Sequence, residues 1–139
     1  MTVKEAKAVL NKNADGLKGS IMCEISENET FSEDAYWEFY DCLMTLVNDV
    51  IENGNRDFET ARKMTRVYEW LLTELIFNFD PNDPLNIKNF PDSPHWYEYT
   101  YYLERIDDAI SAYFYGELPD ETFYQLKRPN GQSAGAADN

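Results

Sequence analysis

The chain has 139 residues, of which 26 are acidic and 12 are basic, and its formal net charge is −14. A field of that sign repels nucleic acid and anionic membranes and attracts basic surfaces, so direct binding to nucleic acid is excluded. The length fits one domain. A hydrophobic content of 43% with 15% aromatic residues supplies a core and argues against a disordered chain.

The first predicted helix covers residues 3–12. Thr2 and Glu5 have the spacing of a capping box, in which each side chain accepts a hydrogen bond from the other residue's backbone amide. The next segment, residues 17–31, is ambiguous, because its apolar residues fit both the period of a strand and one turn of a helix. Since no second strand lies nearby to pair with it, we favour a helix or irregular structure.

Two long helices are predicted next, over residues 32–53 and 57–79. Ser32 is a favourable N-cap for the first of them, and Gly54 is placed to end it. Both segments repeat apolar residues at spacings of three and four, which is typical of helices with one buried face. Because only a short turn joins them, we expect these two helices to pack side by side as an antiparallel hairpin.

A proline-rich break over residues 80–94 separates these helices from a last long one. Each proline removes an amide donor and disfavours helix at the preceding residue. Ser93 and Pro94 then form a good N-cap and first position for a helix over residues 94–115. A short helix is predicted after Leu118.

These elements predict an all-α fold, a small four- to five-helix bundle with a long Pro-rich crossover loop between the third and fourth main helices. We assign residues 1–128 to a single acidic helical domain. Residues 129–139 are rich in small and polar side chains and are predicted to be a disordered tail.

No catalytic, cofactor or metal site is predicted. Cys23 and Cys42 lack the spacing of a zinc site or a redox motif, and negative surroundings disfavour a reactive thiolate. His95 is the single histidine, whereas a zinc site needs three or four convergent ligands. The glycine motifs of phosphate and dinucleotide sites are also missing. We therefore expect that the protein is not an enzyme.

The longest stretch without a base is also strongly acidic. Residues 19–55 contain no Lys or Arg. Their acidic residues are Glu24, Glu27, Glu29, Glu33, Asp34, Glu38, Asp41, Asp49 and Glu52. On a helix over residues 32–53, the angle of Trp37 places its ring among these carboxylates, so we expect it to be exposed.

Aromatic side chains anchor many protein interfaces, and carboxylates among them steer a basic partner. We therefore predict a partner-binding surface with contributions from two helices. Its residues are Asp34, Trp37, Glu38 and Asp41 on the helix over 32–53, and Tyr97, Tyr101, Glu104 and Asp108 on the helix over 94–115.

Together these features predict a non-catalytic acidic inhibitor that binds and occludes a basic, nucleic-acid-binding surface of a target protein. In size, charge and lack of a cofactor the chain is similar in type to phage anti-defence proteins, including anti-CRISPR proteins and other DNA mimics. It carries no motif that identifies such a family. One alternative is an immunity protein that neutralises a basic nuclease toxin. Another, from a different class, is a small helical enzyme or regulatory subunit that uses the 80–94 loop as a lid.

The expected location is the cytoplasm of a bacterial cell or of a phage-infected host. No window approaches the roughly 20 apolar residues of a membrane span. The first ten residues lack the apolar core of a signal peptide. The sequence leaves the oligomeric state open.

Overall fold

The computed structural model describes residues 1–89 and 98–129. Within these ranges it contains no strand and five α-helices, which are α1 (Val3–Ala14), α2 (Ile21–Asn28), α3 (Glu33–Asn53), α4 (Phe58–Phe79) and α5 (Glu98–Tyr115). The all-α prediction is confirmed, and the ambiguous segment before α3 is helical. The short helix predicted after Leu118 is a single 3-10 turn over Glu121–Phe123.

The start of α1 and both ends of α3 lie where local sequence signals place them, whereas α1 continues to Ala14, beyond its predicted end at residue 12. Thr2 and Glu5 form the predicted capping box at the start of α1. The hydroxyl of Ser32 accepts a hydrogen bond from the Ala35 amide at 3.1 Å and so caps α3. Gly54 ends α3 with a φ of 70°, a left-handed conformation that is easily adopted without a Cβ.

The short helix α2 forms because α1 satisfies the backbone of its first turn. The buried side chain of Asn13 accepts a hydrogen bond from the Ile21 amide at 3.0 Å. The same side chain donates to the Val9 carbonyl at 3.0 Å. Ser20 caps the helix by accepting from the Cys23 amide. The local ambiguity is therefore resolved by a polar contact between two helices.

The helices α1 and α5 each pack against both α3 and α4. Among the described residues α3 and α4 do not pack side by side, so they lie diagonally across the core and the predicted side-by-side hairpin is wrong. The linker between them explains the difference. Arg56 donates to the Tyr113 carbonyl at 3.0 Å, and the Asp57 amide donates to the Tyr113 hydroxyl at 2.9 Å. The linker therefore crosses the end of α5 before α4 begins.

The described part of the proline-rich loop is held against the helices. Ile87 is buried, and its amide donates to the Asn78 side chain at 2.8 Å. The Asn89 side chain exchanges two hydrogen bonds with the backbone of Phe31, at 2.7 and 2.6 Å. These contacts tie the loop to the segment that joins α2 to α3.

Some predictions fall on residues that the structure does not describe. These are the helix start at Ser93 and Pro94, the role of Tyr97 in binding, and the disordered tail beyond residue 129. They stay predictions, and so does the full length of the crossover loop.

Candidate functional site

Part of the surface predicted on α3, at Trp37 and Asp41, is covered by residues 117–128, which we call the C-terminal segment. Only 4% of the surface of Trp37 is exposed. Its ring makes edge contacts with the rings of Tyr36 and Tyr40, with centroids 4.9 and 5.7 Å away. The prediction of an exposed Trp37 is therefore wrong. Its helical angle does place it next to carboxylates, but a distant part of the chain folds over that side of α3.

Arg105 of α5 is the residue that holds the C-terminal segment in place. It is 4% exposed, and its guanidinium lies 5.2, 5.1 and 4.4 Å from the ring centroids of Trp37, Tyr40 and Tyr124.

The same guanidinium donates to two groups of the C-terminal segment. It reaches the carboxylate of Glu121 at 3.0 Å and the carbonyl of Leu126 at 2.9 and 3.1 Å. The Tyr40 hydroxyl donates to the same Glu121 carboxylate at 2.5 Å. A buried cation needs hydrogen-bond acceptors, and the acceptors of Arg105 belong to the C-terminal segment. Arg105 therefore binds this segment to α5 and acts as a structural clamp.

The three predicted acids of α3 have different surroundings. Asp34 is exposed. Glu38 forms an ion pair with Lys12 of α1. Asp41 accepts two hydrogen bonds from the guanidinium of Arg128, at 3.0 and 2.5 Å. Two of these acids are thus neutralised within the chain, which weakens the negative potential on this side of α3.

The predicted residues of α5 are also unequal. Glu104 is exposed and Tyr101 is half-buried. Asp108 accepts a hydrogen bond from the Tyr124 hydroxyl at 2.7 Å. Burial, reinforced by this hydrogen bond, raises the pKa of Tyr124 well above its ordinary value. Asp108 therefore helps to bind the C-terminal segment and also faces the pocket described next.

A pocket of about 270 Å³ lies where α5 ends and the C-terminal segment begins, and we call it the α5 pocket. Its polar and aromatic lining residues are Asp108, Ser111, Tyr115, Glu117 and Asp120. The exposed fraction of Tyr115 is 80%. No lining residue among those described is a base. Three carboxylates beside an exposed ring form a site suited to a cationic side chain.

The backbone explains how these carboxylates come together. Gly116 ends α5 with a φ of 73°, so the chain reverses directly after Tyr115. Asp120 then accepts hydrogen bonds from the hydroxyl and the amide of Thr122, at 2.6 and 3.0 Å. These hydrogen bonds lower the pKa of Asp120 below its ordinary value. Sequence reasoning singled out Asp108 but missed Glu117 and Asp120, although a glycine helix end followed by two acids was a visible signal.

A second cavity, of about 520 Å³, lies between the C-terminal end of α4 and the start of α5. It is lined mainly by apolar side chains, which include Leu72, Ile76, Phe79, Tyr99 and Leu103. Asp80 is the one carboxylate among its described lining residues, so its chemistry differs from that of the α5 pocket.

The cysteines are not paired with each other. Both Cys23 and Cys42 are free thiols. Burial raises the pKa of the Cys42 thiol, and the charges of Glu38 and Asp41 raise it further. Among the described residues no group of three or more His, Cys, Asp and Glu side chains could hold a metal ion.

Comparisons of the chain with protein-family models, with curated proteins and with solved structures gave no match. In the described part of the chain, none of the helices has the length and apolar character needed to cross a membrane.

Proposed function

We propose that this protein is a non-catalytic acidic binding protein that occludes a basic, nucleic-acid-binding surface of a target protein. The observation that carries the proposal is the α5 pocket, where Asp108, Glu117 and Asp120 surround a space beside the exposed ring of Tyr115. DNA mimics such as phage anti-defence proteins are the class of inhibitor that we propose.

Electrostatics support a basic partner. The net charge of −14 steers a positively charged surface toward the protein, and no base is among the described residues that line the α5 pocket. Surfaces that bind phosphate groups present Lys and Arg, so a chain with this field competes with nucleic acid for them. Electrostatic steering of this kind weakens as the salt concentration rises.

Exposed apolar side chains at the same end of the molecule add contact area. Phe58, at the first position of α4, is 84% exposed. It directly follows Asp57, whose amide contacts Tyr113 near the end of α5. Leu118 is also exposed and lines the α5 pocket. Aromatic side chains of this kind are frequent hot spots of protein interfaces.

The test is capture of a nucleic-acid-binding protein from a lysate of the source cells, followed by competition with DNA. Wild type is compared with a variant that carries Glu117→Lys and Asp120→Lys. A matched control carries Glu27→Lys and Glu69→Lys, two exposed acids of α2 and α4 that give the same change in net charge.

We expect the pocket variant to bind the captured protein at least about tenfold more weakly, because unlike charges become like charges. The control should keep most of its affinity. Equal losses in both variants would mean that only net charge matters. Binding by every variant at high salt would contradict a charge-based interface.

A further inference from the structure

Arg128 lies in a well-formed recess on α3. Both of its terminal nitrogens donate to the carboxylate of Asp41, at 3.0 and 2.5 Å. Its guanidinium also lies 4.7 Å from the ring centroid of Trp37 and 5.8 Å from that of Tyr40. Only 13% of its side chain is exposed. Proteins recognise arginine specifically by two parallel hydrogen bonds from its guanidinium to a carboxylate, together with a neighbouring aromatic ring.

The walls of this recess belong to a single helix. Trp37, Tyr40 and Asp41 stand at helical spacings of three and four on α3, so they share one side of it. The two rings are held by an edge contact, and the Tyr40 hydroxyl donates to Glu121. The two rings are therefore held by contacts that do not involve the Arg128 side chain.

The occupant, in contrast, lies beyond the two contacts by which Arg105 holds the C-terminal segment. Arg105 holds the C-terminal segment at Glu121 and at the Leu126 carbonyl, both upstream of Arg128. Neither of these anchors involves the Arg128 side chain.

We propose that Trp37, Tyr40 and Asp41 form an arginine-binding pocket for the target protein, and that Arg128 occupies it as an intramolecular competitor. The ligand is an arginine on an exposed, extended segment of the basic partner. This inference rests on the proposed function, because it names a second contact of the same partner. The proposal also explains why a basic residue, Arg128, lies on the acidic side of α3. On binding, an arginine of the partner replaces it.

The experiment measures binding of one peptide to the full chain. The probe is an acetylated and amidated pentapeptide, Gln-Leu-Lys-Arg-Pro, the sequence of residues 125–129. Its titration is followed by the indole N–H signal of Trp37 in NMR spectra of wild type and of Arg128→Gln. Lys127→Gln is the matched control, because it removes the same charge from an exposed neighbour.

We expect Arg128→Gln to bind the peptide about tenfold more tightly than wild type, since the internal competitor is gone. Lys127→Gln should behave as wild type. Citrulline in place of the peptide's arginine, or Asp41→Asn added to Arg128→Gln, should abolish the gain.

Equal binding to wild type and Arg128→Gln, or equal binding of the citrulline peptide, would overturn the inference. A lower melting temperature of Arg128→Gln without any gain in binding would make Arg128 a structural tie only. These outcomes are separate from the test of the proposed function, which depends on Glu117 and Asp120. If charge reversal at Glu117 and Asp120 abolishes partner binding but the peptide result is negative, the proposed function stands. The arginine-binding pocket is then contradicted.

Discussion

Trp37 is the residue at which three parts of the chain meet. It belongs to α3, and it lies beneath Arg105 of α5 and Arg128 of the C-terminal segment. A buried ring in contact with two guanidinium groups contributes both apolar burial and cation–π attraction. Its role is therefore to join the C-terminal segment to the core, in addition to any part that it plays in binding.

Replacement of Trp37 by Ala should lower the free energy of unfolding by about 3–5 kcal/mol, the usual range for emptying a large buried site. Tyr115→Ala is the control, because its ring is mostly exposed and should change the free energy by no more than about 0.5 kcal/mol. Urea-induced unfolding measures both. Similar small changes in the two variants would contradict the buried position of Trp37.

The two thiols should differ in reactivity. The thiolate is the reactive form, and burial raises the pKa of Cys42, whereas Cys23 is half-buried on α2. N-ethylmaleimide should therefore label Cys23 at least about tenfold faster than Cys42 in the folded protein. Mass spectrometry of time points measures this, and both should react rapidly in urea. Equal rates in the folded state would show that α3 does not protect Cys42.

The C-terminal segment has little regular structure of its own beyond the turn at Glu121–Phe123. Its position depends on long-range contacts, above all on the fork of Arg105. A lysine cannot reproduce that fork, because its ammonium group lacks the planar pair of donors. A substitution at Arg105 should therefore release the C-terminal segment as a whole.

Arg105→Lys and Arg105→Leu should each lower the free energy of unfolding by about 1.5–3 kcal/mol, the range for lost hydrogen bonds to a charged group. Both should also speed tryptic cleavage after Lys127, because the segment is released. Arg62→Leu, at an exposed position of α4, is the control and should affect neither quantity. Unchanged cleavage in the Arg105 variants would show that other contacts hold the segment.

At the scale of the whole molecule, the stability should depend on pH in the alkaline range. Four buried groups have raised pKa values, and burial is the main cause in each: Tyr36, Tyr40, Tyr124 and Cys42. The ordinary pKa is 10.0 for the phenol of tyrosine and 9.0 for the thiol of cysteine. The folded protein therefore binds these protons more tightly than the unfolded chain does. The stabilisation is fully present below the ordinary values and is lost as the pH rises above them.

We expect the free energy of unfolding, measured in urea, to fall steeply above about pH 10. Tyr40→Phe with Tyr124→Phe should make that fall shallower, since two of the groups no longer titrate. Tyr115→Phe is the matched control, because it removes a phenol that is exposed in the folded protein. A slope that is identical in all three proteins would mean that the buried phenols do not govern the alkaline transition.

Much of the local structure followed from the sequence because its causes are local. The capping residues Thr2, Ser32 and Gly54 act on the backbone within a few positions, so the start of α1 and both ends of α3 were predictable. The apolar repeat of α3 likewise predicted its buried stripe at Tyr36 and Phe39. The net charge needs only the composition, and the proposal of a basic partner starts from that charge.

The tertiary structure alone decided which helices are neighbours and which acids stay open. A short linker predicts proximity, but the contact of Arg56 with Tyr113 carries it across α5, so α3 and α4 lie diagonally. A helical angle places Trp37 beside acids, yet it cannot show that Arg105 and Arg128 fold over it. The arginine pocket of α3 and the acidic α5 pocket both arise where the C-terminal segment returns to the helices. Such long-range contacts leave no periodic signal, because they join side chains that are far apart in sequence.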